Sequence, residues 1–110
     1  SLGEIIEAIP AIDIQAGIEE IVGGIIVASC KAISLKPDAI NYFNTALFFH
    51  IAGKSDGADA FFERAIKTAQ DKELLIYIGR TVATLGKDKV TRLAEEALAR
   101  RGLHMHLYPS

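Results

Sequence analysis

Two glycines 33 residues apart, Gly53 and Gly86, set the strongest constraint on how this 110-residue chain can fold. Shifting the sequence by 33 superposes more than the glycines. Ala46 falls on Gly79, Tyr42 on Leu75, Phe43 on Ile76 and Phe49 on Val82, and Ala32 falls on Ala65 and then on Leu98. A fixed period of this length marks an architecture in which each unit is one supersecondary element. The unit is helical, because the chain lacks sustained period-two alternation of apolar residues. Glycines and Asp or Ser residues instead punctuate it about every 15 residues, as helix stops and starts do. Two helices therefore fill each period. Joints of two to four residues force consecutive helices into antiparallel hairpins.

The punctuation predicts five or six helices. Leu2 to Ile9 reads as a short amphipathic helix stopped by Pro10. Asp13 caps a second helix reaching about Ser34. Gly23 and Gly24 lie inside it, each costing up to ~1 kcal/mol of helix propensity relative to Ala. Such a pair points to another helix crossing closely there, with a break in the helix as the competing reading. Pro37-Asp38 opens a third helix with Asp38 as N-cap, and Gly53 follows its end in the left-handed conformation. Ser55 or Asp56 caps a fourth helix ending near Ala69. Asp71 caps a fifth, ending at Gly86. Asp88 caps a sixth, which runs to Arg101 and is ended by Gly102. The domain is read as residues 1–102, with 103–110, LHMHLYPS, as an extended tail.

The residues between Ala39 and Lys72 resemble the tetratricopeptide repeat family. Tyr42, Ala46 and Phe49 stand where that family prefers an aromatic, a small residue and a second aromatic. Gly53 stands at its inter-helix turn. Ala58, Phe62 and Ala65 follow at its Ala, aromatic, Ala spacing, and Pro37 and Ala32 match the end of a preceding unit. Small residues let two helices cross closely, and the aromatics fill the gaps between crossings. The next unit, Glu73 to Arg101, keeps Gly79 and Gly86 but puts Thr91 and Glu95 where Ala and Phe belong. A one-residue deletion in its loop would bring Val90, Ala94 and Ala97 there instead. The resemblance implies an all-α stack of antiparallel hairpins, an α-solenoid fragment. An irregular helical bundle is the alternative.

In that family the first helix of each hairpin lines a concave face that binds extended or helical peptides. Carried over, the partner-binding positions are Ile40, Phe43, Asn44, Leu47, His50 and Ile51, joined by Glu73, Ile76, Tyr77, Arg80 and Thr84. A strip of Phe43, Leu47 and Ile51 on that face would be a hydrophobic patch of the kind that marks partner sites. The family's carboxylate clamp is not expected, since only Asn44 and Arg80 suit it. The same strip would serve equally for packing on a second copy of the chain.

Composition narrows the function further. The net charge is −2, with half the residues hydrophobic and 24% charged, which excludes a disordered chain. A near-neutral chain is not a whole-domain nucleic-acid binder. Charge is nonetheless uneven: residues 1–38 hold two basic and six acidic side chains, and 72–101 hold seven basic and four acidic. The longest apolar run, Ile21 to Cys30, is too short to span a membrane and reads as a buried core helix, with Cys30 an inert core thiol. A single cysteine favours a cytoplasmic location. His104 and His106 share a face only if extended and lack an obvious third ligand, so no metal is expected. No phosphate-binding loop, carboxylate dyad or nucleophile pattern is present, so neither a cofactor nor catalysis is expected. The reading is a protein–protein interaction or scaffold module whose partner is a peptide, a protein or a second copy. A purely structural self-association domain comes second. A small-molecule binder or enzyme with a pocket near Cys30 and His50 comes third.

Overall fold

A computed structural model describes the backbone of residues 11–108 and the side chains of 17–108. It is all-helical, with five α-helices and no strand among the described residues: α1 (Ala11–Leu35), α2 (Ala39–Ile51), α3 (Ser55–Thr68), α4 (Lys72–Thr84) and α5 (Asp88–Arg100). The expected helix at Leu2 to Ile9 lies outside the described residues. Helix α1 already runs from Ala11, so Asp13 falls within it rather than capping it.

The sequence punctuation acts as its chemistry requires at most joints. Asp38 accepts a hydrogen bond from the Asn41 N–H at 2.9 Å, and Asp71 accepts one from the Glu73 N–H at 3.1 Å. These caps satisfy N–H groups that a helix start leaves without a partner. Gly53, Gly86 and Gly102 all take positive φ, at 75°, 73° and 83°. A side chain at φ values like these costs ~1 kcal/mol or more. Two expected caps differ. Helices α3 and α5 are preceded by Lys54 and Lys87, with no side-chain cap, and Ser55, Asp56 and Asp88 sit inside the first turn. There the carboxylates of Asp56 and Asp88 meet the positive end of the helix dipole.

Helices α2 and α3 pack as an antiparallel hairpin. Phe49 meets Gly57 near the turn, and Phe43 meets Phe62 further from it. Helices α4 and α5 form the second hairpin, and α3 packs on both of its helices. The strict 33-residue register holds through both turns, since Ala52-Gly53-Lys54 and Leu85-Gly86-Lys87 match in backbone conformation. No loop deletion is needed. Thr91 therefore takes the place of Ala58; it is fully buried and donates its hydroxyl to the Lys87 carbonyl at 2.8 Å. The small residues Ala46, Ala58, Ala65 and Ala94 are completely buried among Phe62, Leu75, Ile78, Val82 and Leu98. This is the core.

Two polar staples join the hairpins. The Lys87 ammonium, nearly buried, bonds Asp59 of α3 at 2.6 Å. The Arg101 guanidinium donates to the Ala69 carbonyl, just past the end of α3, at 2.6 Å. The C-terminal segment from Leu103 to Tyr108 has no regular secondary structure, but it belongs to the core. Leu107 is 4% exposed and its N–H donates to Glu95 at 3.0 Å, while the Tyr108 hydroxyl bonds Asp88. Glu95 stands where the first unit has Phe62; it holds the strap that carries Leu107 over Gly79 and Ala94.

Helix α1 departs from this compactness. At 1.5 Å per residue, its 25 residues span roughly 37 Å. Its only substantial neighbour among the described helices is α2. The radius of gyration is 17.3 Å, against about 13 Å for a compact chain near this length.

Candidate interaction surface

The predicted concave strip is broken by its own aromatic. Phe43 is buried and sits between Phe62, at 5.9 Å between ring centres, and Tyr77, at 5.6 Å. It serves the core and is not open to a partner, which corrects the expected Phe43–Leu47–Ile51 patch. The reason is that α2 and α4 lie close enough for Tyr77 to cover it. Leu47, His50 and Ile76 are half-buried. Ile40, Asn44, Ile51, Tyr77 and Arg80 are exposed, as are Glu73 and Thr84.

Helix α1 carries the larger apolar surface, and here the buried-helix reading is overturned. Ile18, Ile21, Ile25, Val27 and Leu35 are all exposed, Ile21 by 65% and Leu35 by 79%. Cys30 is exposed too, so it is not a core thiol. Gly23 and Gly24 lie in unbroken helix, and a Cβ on either would meet nothing within 4 Å. Among the described residues no helix crosses there.

The geometry of α1 follows from its sequence. At 100° per residue its apolar side chains cover roughly half the circumference. One part of that arc faces α2: Val22, Ile26, Ser29 and Ile33 are partly buried. Apart from Val27 and Cys30, which lie off it, the rest is Ile18, Ile21, Ile25, Ala28, the partly buried Ala32, and Leu35, at spacings of 3, 4, 3, 4 and 3 residues. That is the a/d spacing of a coiled-coil seam. Helix α2 covers one stripe and leaves this second one largely open. Two apolar depressions extend it onto α2. One is lined by Ile25, Ala28 and Ala32 with Asn44 and Phe48, the other by Ile18, Val22 and Ile26 with Ile51. The 3–4 spacing is legible in the sequence, but spacing alone does not show which side of the helix stays open.

The other candidates are modest. His50 lies beside Ser55, Asp59 and Lys87, whose polar groups already bond one another. His106 is fully exposed, with Nδ1 3.7 Å from Glu95. Among the described residues no three His, Cys, Asp or Glu side chains are grouped to hold a metal ion. No described helix is long and apolar enough to cross a membrane. Compared with known proteins, the chain matches no family model, no curated protein and no solved structure.

Proposed function

We propose that this chain is a non-catalytic protein–protein interaction module, a tetratricopeptide-like stack of two hairpins whose docking element is α1. The observation that carries this is the open a/d stripe on α1. Five large side chains there and on α2 (Ile18, Ile21, Ile25, Leu35 and Ile51) stand exposed. Contiguous exposed apolar patches mark interaction sites. The repeat-like packing of α2–α5 is supported by the matched turns at Gly53 and Gly86 and by the buried small residues at the helix crossings.

A photo-crosslinking amino acid at Ile21 tests this reading, with the same group at exposed Lys67 as control. A discrete protein adduct at Ile21 and none at Lys67 is expected, whether the adduct is a second copy or another protein. Equal, diffuse labelling at both positions would remove the assignment. A second reading keeps the predicted face between α2 and α4, favoured by the exposure of Ile40 and of Tyr77 at 61%. The same group at Tyr77 distinguishes the two.

A further inference from the structure

We infer that the occupant of the α1 stripe is the α1 stripe of a second copy, laid antiparallel. The inference rests on the reading of α1 as docking element and names its partner.

The order of large and small residues along the stripe carries the argument. From one end it reads Ile18, Ile21, Ile25, Ala28, Ala32, Leu35. In a parallel pair each residue would meet its own copy. Three Ile layers would stand at one end and two adjacent Ala–Ala layers near the other, so no single helix separation would fill the seam. Antiparallel pairing matches each a residue with a d residue of the second copy. Ile25 then faces Ala28, Ile21 faces Ala32 and Ile18 faces Leu35, each twice by symmetry. The four central layers are all large against small, which sets one uniform close distance. The two outer layers are large against large. Helices packed at about 20° diverge away from their crossing point, so the outer layers have the room that bulkier pairs need.

Charge agrees. Glu20 and Lys31 are both exposed and lie on the same flank of the stripe, on the side away from α2. In the antiparallel register Glu20 lies level with residue 33 of the second copy, two residues or about 3 Å along the axis from Lys31. Each copy thus presents Glu20 to the other's Lys31, giving two opposite-charge contacts. The glycines agree as well. Gly17 and Gly24 border the stripe on that flank; among the described residues a Cβ at either would meet nothing within 4 Å. Their lack of side chains lets a second backbone approach closely.

Light scattering on size-separated protein, across a concentration series, tests the inference on the full chain. The wild type is expected to show the mass of two chains. Ile21→Asp/Ile25→Asp is expected to show the mass of one, with its helical circular dichroism retained because both positions are open in the single chain. Glu20→Lys alone places like charges at both contacts and is expected to raise Kd by about tenfold. Glu20→Lys/Lys31→Glu restores the pairing and is expected to return Kd to near the wild-type value. Ile25→Cys/Ala28→Cys, in a Cys30→Ser background, is expected to give a disulfide-linked dimer on oxidation. A wild type that stays monomeric at every concentration overturns the inference. A dimer indifferent to Glu20→Lys, or not restored by the double charge reversal, overturns the antiparallel register. If the wild type is monomeric while the crosslinker at Ile21 traps a different protein, the second-copy inference falls and the α1 docking element stands.

Discussion

Gly79 and Leu107 should behave as one unit under mutation, although 28 positions separate them. A Cβ on Gly79 would lie 2.5 Å from Leu107 Cδ1 and 3.2 Å from the Ala94 Cβ. Gly79→Ala in the wild type gains about 0.8–1 kcal/mol of helix propensity. It also forces Leu107 to shift, an overpacking cost of about 1–3 kcal/mol. The net expectation is a loss of about 0–2 kcal/mol. Leu107→Ala removes a buried side chain and is expected to cost about 2–3 kcal/mol, the low end of the range because a terminal segment relaxes. In the Leu107→Ala background the main clash is gone, leaving only the tighter Ala94 contact. There Gly79→Ala should be neutral or stabilising by up to ~1 kcal/mol, since the propensity gain remains and the new methyl enters the emptied space. The coupling energy is then about 1–3 kcal/mol, well above the scatter of independent sites. Urea denaturation followed at 222 nm on the four proteins measures it. Equal effects of Gly79→Ala in both backgrounds would show that Leu107 does not seat over α4, and the account of the strap would fail.

Asp38→Ala removes the bond to the Asn41 N–H and is expected to cost about 1 kcal/mol, lowering Tm by roughly 4–8 °C; Asp38→Asn should retain most of it. Lys87→Met breaks the link to Asp59 while keeping the buried stem, and is expected to cost about 1 kcal/mol in the same denaturation assay, because Asp59 is itself 45% exposed. The Asp71 carboxyl is held below the ordinary carboxylate range by the Glu73 side chain and then by the Glu73 N–H. Its contribution is present above the unfolded pKa and is lost as pH falls through the folded value, so Asp71→Asn should flatten the acid limb of a stability–pH curve. The Tyr108 phenol is raised above its usual value chiefly by its bond to Asp88. That contribution is present below the unfolded pKa and is lost as pH rises through the folded one. Asp88→Asn should bring the 295 nm titration back to lower pH, and an unmoved titration would place Tyr108 away from Asp88.

The periodicity carried most of α2–α5. Turn glycines announce themselves because only they take positive φ cheaply, and the 33-residue offset places Gly53 and Gly86 at equivalent turns. Caps were legible where Asp precedes the helix, at Asp38 and Asp71. They misled where Asp56 and Asp88 serve the helix dipole from within the first turn. The fate of the C-terminal segment was not legible, since nothing local in LHMHLYPS shows that Leu107 completes a core 28 residues upstream. Helix α1 was misread for a different reason. Apolar residues on a helix show that water is unfavourable there, but not which neighbour removes it. The run from Ile21 to Cys30 reads the same whether the neighbour belongs to the same chain or to another. Phe43 illustrates the converse: its family-like position suggested an open face, and Tyr77 from the next hairpin closed it.

The docked strap over Gly79 sets the outer face of α4 and α5 apart from α1. Leu107 is buried against α4 at Gly79, close to Ala94 of α5, whereas among the described residues the α1 stripe stands open. A stack open at both ends joins head to tail, and such contacts extend without limit unless the rotation happens to close a ring. If the α1 stripes pair as inferred, like meets like in an isologous contact, and the assembly stops at two. On the proposed repeat-like reading of α2–α5, Leu107 would act as a chain terminator as well as a core residue, and loosening the strap would favour open-ended growth.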